Sequence, residues 1–414
     1  MSWRQRLPPA LQRRDYGLLW TITLVTGVAM QMVAVAVGWQ VYAIHRDPFD
    51  LGLIGLMEFI PLPLLALPAG QLSDRVSRRV VIAVSIVLDT IVVLLLLAVT
   101  IAGARELWPF LVLAAATGVS AAIGWPALRA LPPVLVPMEL LPSAMALRSI
   151  AFQAATVGGP ALGGVLFAVE PKAVYATAAG LCCVAFAGAV ALRLPPRETG
   201  EVEPLGWASV LAGIRFIRET PMLLGAISLD LFAVLFGGAV ALLPVFARSI
   251  LHTGPIGLGV LRSAPAVGAI AAGVWLTRRP LQRHAGHTLL VVVAGFGISM
   301  VVFGLSRSLP LSLAALAVSG FVDMISMNIR GTTVAVATPD AVRGRVLAVE
   351  MVFISASNEL GAFESGVAAA LFGAVTAVVA GGAITIGLAA SWLKLFPSLA
   401  HIDRLEDVGA AEAV

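Results

Sequence analysis

Eight ionisable side chains fall inside stretches that are otherwise apolar: Glu58, Asp89, Asp230, Arg262, Asp323, Glu350, Glu359 and Glu364. A charge is expensive to hold away from water, so groups placed this way pair with one another, bind ions or carry protons. At roughly 100° per residue, Glu350, Ser357, Gly361 and Glu364 fall on one helical stripe, and Ser319, Asp323, Ser326 and Arg330 fall on another. Two polar stripes on neighbouring segments predict a wetted wall. Glu350 and Arg330 lie near segment ends, where snorkelling to the surface competes with a functional role. All five histidines, His45, His252, His284, His287 and His401, fall in loops or tails. A proton crossing on side chains would therefore use carboxylates, with Glu58, Asp323 and Glu364 as the expected carriers.

The elements that must position these groups follow from composition. Of 414 residues, 59% are hydrophobic and 12% charged, too little polar surface to coat a water-soluble globule of this size. A membrane-spanning helix needs about 20 apolar residues. Twelve runs of about that length occur, at approximately 16–43, 51–72, 80–102, 107–128, 145–169, 173–194, 221–247, 256–276, 288–305, 309–334, 346–371 and 375–395. An all-α membrane protein is expected. With the first residue inside, 21 of the 27 basic residues fall on the inner side, which predicts both termini in the cytoplasm of a multi-pass inner-membrane protein. The first apolar run is long enough to span, so no cleaved leader is expected. Cys182 and Cys183 are adjacent and read as packing residues, with no metal site or cofactor.

An internal repeat divides the chain. GQLSDRVSRR at 70–79 is echoed by GVWLTRR at 273–279, and VPMELLPSAMAL before the fifth span by TPDAVRGRVLAV before the eleventh. The expected organisation is a six-helix half at 1–194, a cytoplasmic linker at 195–220, a second half at 221–395 and a tail at 396–414. In the linker, Val210, Ile214 and Ile217 at helical spacing predict an amphipathic helix on the inner membrane surface.

These features identify the chain as resembling the major facilitator superfamily, in particular its bacterial drug and siderophore exporter branch. Gly70, Asp74, Arg75, Arg78 and Arg79 match that superfamily's signature between helices 2 and 3. The resemblance implies a conformational latch, with Asp74 facing the amino-terminal end of helix 11 just after Gly344 and Arg345. Thr277 stands at the Asp74 position of the second half. Gly158, Gly159, Pro160, Gly163 and Gly164 on helix 5 resemble the end of a signature found in proton-driven exporters and predict a bend and pivot. The fourth span lacks the buried arginine many antiporters carry there. The implied cavity is mostly apolar, with Gln31, Trp39, Gln153, Asp230, Phe232, Phe236, Asn328, Phe353 and Ser357 as candidate contacts. Glu58 and Arg262 occupy nearly equivalent repeat positions, which suggests a pair across the outer gate.

The function expected is proton-coupled antiport and efflux of small amphipathic compounds by alternating access, from a monomer in the lipid bilayer. An uptake carrier or lysolipid translocator, and a substrate sensor that does not transport, remain open on the same scaffold. No placement for a Ser-His-Asp set and no phosphate-binding loop point to an enzyme or an ATP-driven pump. The basic balance is topological, with no nucleic-acid partner expected.

Overall fold

The structure, a computed structural model, describes residues 8–65, 76–194, 207–279, 283–400 and 402–403. Among them, twelve helices are long and apolar enough to cross a membrane. In chain order they are α1 Arg14–His45, α2 Pro48–Leu65, α3 Arg78–Ile101, α4 Trp108–Arg129, α5 Met138–Val169 and α6 Pro171–Ala191, then α7 Pro221–Ile250, α8 Gly254–Arg278, α9 Ala285–Leu305, α10 Leu309–Ala337, α11 Asp340–Phe372 and α12 Ala374–Leu395. No strand occurs among the described residues. Helices satisfy every backbone group internally, which is why an apolar chain of this kind can cross lipid.

The chain forms two compact units. Unit 1 takes 1–44, 57–205 and 254–263; unit 2 takes 45–56, 206–253 and 264–414. The first turns of α8 thus belong to unit 1, and those of α2 to unit 2. Glycines explain both placements. In unit 1, a Cβ on Gly164 of α5 would stand 2.6 Å from the Pro255 carbonyl oxygen and 3.1 Å from Gly259 Cα on α8. In unit 2, a Cβ on Gly366 of α11 would stand 2.6 Å from Gly52 Cα on α2. Without side chains, these helices cross backbone to backbone.

Three arginines of unit 1 bind helix ends. Arg78 Nη1 donates to the Ala130 carbonyl (3.2 Å) after α4, while Arg79 and Arg14 donate to the Val190 and Ala191 carbonyls that end α6. Terminal carbonyls lack intrahelical donors and carry the negative pole of the helix. These arginines therefore have a structural task beyond setting topology.

Three expectations are corrected. The seventh span is not one continuous helix: it is α-helical over Pro221–Gly237, opens at Gly238 and continues through short turns that include a π-helical Phe246–Ile250. Gly237, Gly238 and Pro244 break the ladder, and Ser365 Oγ donates to the freed Gly238 carbonyl at 2.9 Å. The eleventh helix starts at Asp340, not after Arg345, so Gly344 and Arg345 lie within it. The linker helix forms over Trp207–Glu219, but Ile214 and Ile217 pack on Leu223, Val334, Val346 and Val349 of α7, α10 and α11. Ile217 is buried there and Ile214 partly buried, Leu211 is exposed, the Val210 side chain lies outside the described residues, and Gly213 sits against the Arg345 carbonyl.

Candidate functional site

In unit 2, Asp230 of α7 and Arg330 of α10 form an ion pair, with residue exposures of 8% and 7%. A paired arginine this deeply buried does not snorkel, which corrects the alternative raised for Arg330. Its Nε–H finds no acceptor among the described residues. Two small cavities flank the pair. One is lined by Asp230, Arg330, Glu350 and Phe353; the other by Asp230, Phe296, Asp323 and Ser326. Glu350 and Asp323 are partly accessible, and both interact electrostatically with Arg330. Glu350 of α11 thus shares one cavity with the pair, and Asp323 of α10 shares the other with Asp230.

The rest of the expected cavity wall in unit 2 is spent on packing. Phe232 and Phe236 stack at 6.4 Å, and Phe232 meets the edge of Trp392 of α12 at 6.1 Å. These rings serve the α7–α12 contact. Ser357 is buried and donates to its own helix at Ile354, while Gly361 rests on the Val234 and Leu235 carbonyls of α7. Ser319 likewise bonds its own helix, at Leu316. The two stripes therefore supply helix packing along much of their length, and polarity concentrates at the acid cluster. Asn328 is exposed, Glu364 is partly buried, and Glu359 faces Gly55 of α2. Only Phe353 and Asp230 of the expected cavity residues line the cavities beside the pair.

In unit 1, the helix 5 motif divides its work. Gly159 lies against Val28 and Gln31, Gly163 against Met32, both on α1; Gly164 takes α8. Gly158 has no neighbour at its Cβ position. Ser263 of α8 donates to the Val157 carbonyl at 2.7 Å, three residues before Pro160. Glu58 backs onto Gly118 of α4. Glu58, Arg262, Trp39 and Gln153 are all partly buried. Gln40, next to Trp39 on α1, is held by Tyr175 (2.5 Å) and Thr100 (3.1 Å). Of the signature stretch, Gly70, Asp74 and Arg75 lie outside the described residues.

The pair of Asp230 and Arg330 was hidden from sequence reasoning because it depends on the register of α7 against α10. Its one signal was the common depth of an acid and a base on two neighbouring spans.

Residues 7–410 match the profile of a family described as transmembrane secretion effectors. The enterobactin exporter of Citrobacter koseri is 26% identical over 347 residues, which is 83% of each chain. Among solved structures, a bacterial homologue of the human lysosomal transporter Spinster, inward-facing and unoccupied, aligns with a TM-score of 0.70 at 14% identity, covering 97% of this chain and 98% of the other. A POT family transporter bound to a thioalcohol-conjugated peptide gives a TM-score of 0.74 at 12% identity, covering 96% and 99%. The chain is a multi-pass membrane protein and belongs to the transmembrane secretion effector family of major facilitator transporters.

Proposed function

We propose that this transporter is a proton-coupled exporter of small amphipathic compounds, drug-like or siderophore-like, working as a monomer by alternating access with both termini in the cytoplasm. Its similarity to an enterobactin exporter favours efflux. The observation that carries the mechanism is the pair of glycine crossings, α5 on α8 and α2 on α11. Each joins a helix of the first six to one of the last six at a point where backbones meet backbones. Such contacts can part and reform as units, as repeat-built carriers require. In this reading the halves are 1–194 and 221–395, and the linker helix moves with the second half it packs on. Asp74 serves as the latch of the cytoplasmic side, directed at the amino-terminal turn of α11 that begins with Asp340. Glu58 and Arg262 pair across the outer gate.

Transport into inside-out vesicles tests this reading, with enterobactin and a permanently charged aromatic cation as probes. An acidic lumen should drive accumulation of at least one probe several-fold above vesicles lacking the protein, and an ionophore that collapses the gradient should abolish it. Accumulation independent of both protein and gradient would remove the exporter assignment.

A further inference from the structure

The amino-terminal end of α9 is completed by residues that follow α12, 119 positions further along the chain. His284, just before the helix, adopts a left-handed φ of 57°. Its backbone N–H donates to Asp403 Oδ1 at 2.9 Å, and the next two N–H groups, of Ala285 and Gly286, donate to the Asp403 and Ile402 carbonyls at 3.2 and 3.0 Å. The first N–H groups of a helix have no partner within it and form its positive pole, so a carboxylate and two carbonyls are well placed there. A short helix, Pro397–Ala400, brings the chain back from α12. Leu399 is buried, and a Cβ on Gly286 would collide with its carbonyl oxygen, so only glycine admits this approach. Upstream, Trp392 Nε1 donates to the Gly225 carbonyl of α7 at 3.0 Å, and the Phe396 ring lies against the same glycine. The segment after α12 thus ties together the start of α7, the start of α9 and the end of α12.

A second observation joins this segment to the linker helix. Ile402, one residue before the capping Asp403, packs on the apolar cluster of Ile217 from the linker helix, Leu223 of α7, Val334 of α10 and Val346 of α11. The linker helix also rests on α11 where Gly213 meets the Arg345 carbonyl. One residue of the segment therefore fills the edge of the cluster on which the linker helix sits, and the next is fixed to α9. The two ends of this attachment differ. Leu399 is anchored in the interior, whereas the Asp403 side chain and the His284 imidazole, 3.8 Å from its carboxylate, are more than half exposed. An exposed charged contact is weak and screened by salt, so detachment begins there.

We infer that the segment at 397–403 is an intramolecular clasp that holds the linker helix against α10 and α11, and that its release at Asp403 lets that helix undock. With the clasp closed, Ile402 completes the apolar seat of Ile217. With it open, the seat loses one wall and the Ala285 and Gly286 N–H groups return to water. Undocking uncovers the last turn of α10 and the first turns of α11, so the segment after α12 controls helix ends it does not itself follow. The device is independent of what the carrier moves and in which direction.

The test uses purified full-length protein in detergent and reads two places that the cluster connects. Ile402→Ser with Asp403→Lys should speed trypsin cleavage after Arg215 and Arg218 in the linker helix, and amide exchange at Ala285 and Gly286, each by on the order of tenfold. Asp403→Asn keeps an acceptor for the His284 N–H and should stay near the wild type. Coupling is reciprocal, so Ile217→Ser, made in the linker helix, should also raise exchange at Ala285 and Gly286. If the double variant does not fold, the Ile217→Ser measurement carries the same information. Linker cleavage at the wild-type rate in the double variant, or unchanged exchange at Ala285 and Gly286 in Ile217→Ser, would overturn the clasp. Faster exchange spread evenly along α9 from Leu290 to Val301 would overturn it too, because that reports general loosening.

Discussion

Unit 1 buries Tyr175 against Gln40, Gln40 against Thr100, and Ser120 against the Ser85 carbonyl beside Asp89. Unit 2 buries Asp230 against Arg330 and places Glu350 and Asp323 on the two cavities beside the pair. The first interior is held mainly by neutral hydrogen bonds with fixed donors and acceptors. The second adds a buried ion pair to neutral hydrogen bonds such as that from Ser365 to the Gly238 carbonyl. Neutral networks of this kind rigidify a core, because each group has one good arrangement. An arginine with several acids nearby has more than one. The difference predicts a framework in unit 1 and a pH-responsive switch in unit 2.

The sharpest way to break this contrast is Arg330→Met, which leaves the acids without their base and should cost about 3–5 kcal/mol at neutral pH, read as thermal stability of the purified protein. A small effect would make the cluster no more charged in practice than unit 1. Next is Gly164→Leu, which inserts a side chain where α5 and α8 touch backbones; overpacking of this sort costs about 1–3 kcal/mol and here should reduce transport severalfold. Gly366→Leu should act alike at the α2–α11 crossing. Normal transport in both would show that neither seam must close. The smallest effect belongs to Tyr175→Phe, which should lower stability by about 1–2 kcal/mol through the stranded Gln40 acceptor while leaving the pH profile of transport unchanged. A shifted pH profile in that variant would place part of the switch in unit 1.

The twelve spans were legible because each needs only a long apolar run, and hydropathy reports that directly. The break in α7 was not, since Gly237 and Gly238 are tolerated in many membrane helices and the deciding partner, Ser365, lies 127 residues away. A helix forms in the linker, yet amphipathic spacing does not say whether an apolar face meets lipid or protein. Phe232 and Phe236 pose a related problem: an aromatic on a spanning helix can face a cavity, a lipid or another ring such as Trp392. Asp230, Asp323, Glu350 and Arg330 were each visible as costly charges. What the chain alone withheld was their convergence, which is a property of three helices packed in one register.

The most direct measurement follows protons and substrate together in proteoliposomes, with a pH-sensitive dye trapped inside and enterobactin supplied on one side. Wild-type protein should move protons opposite to the substrate, and the Asp323→Asn, Glu350→Gln double variant should still pass substrate down its gradient with the proton signal lost. Proton movement as large in the double variant as in the wild type would contradict the switch expected of unit 2.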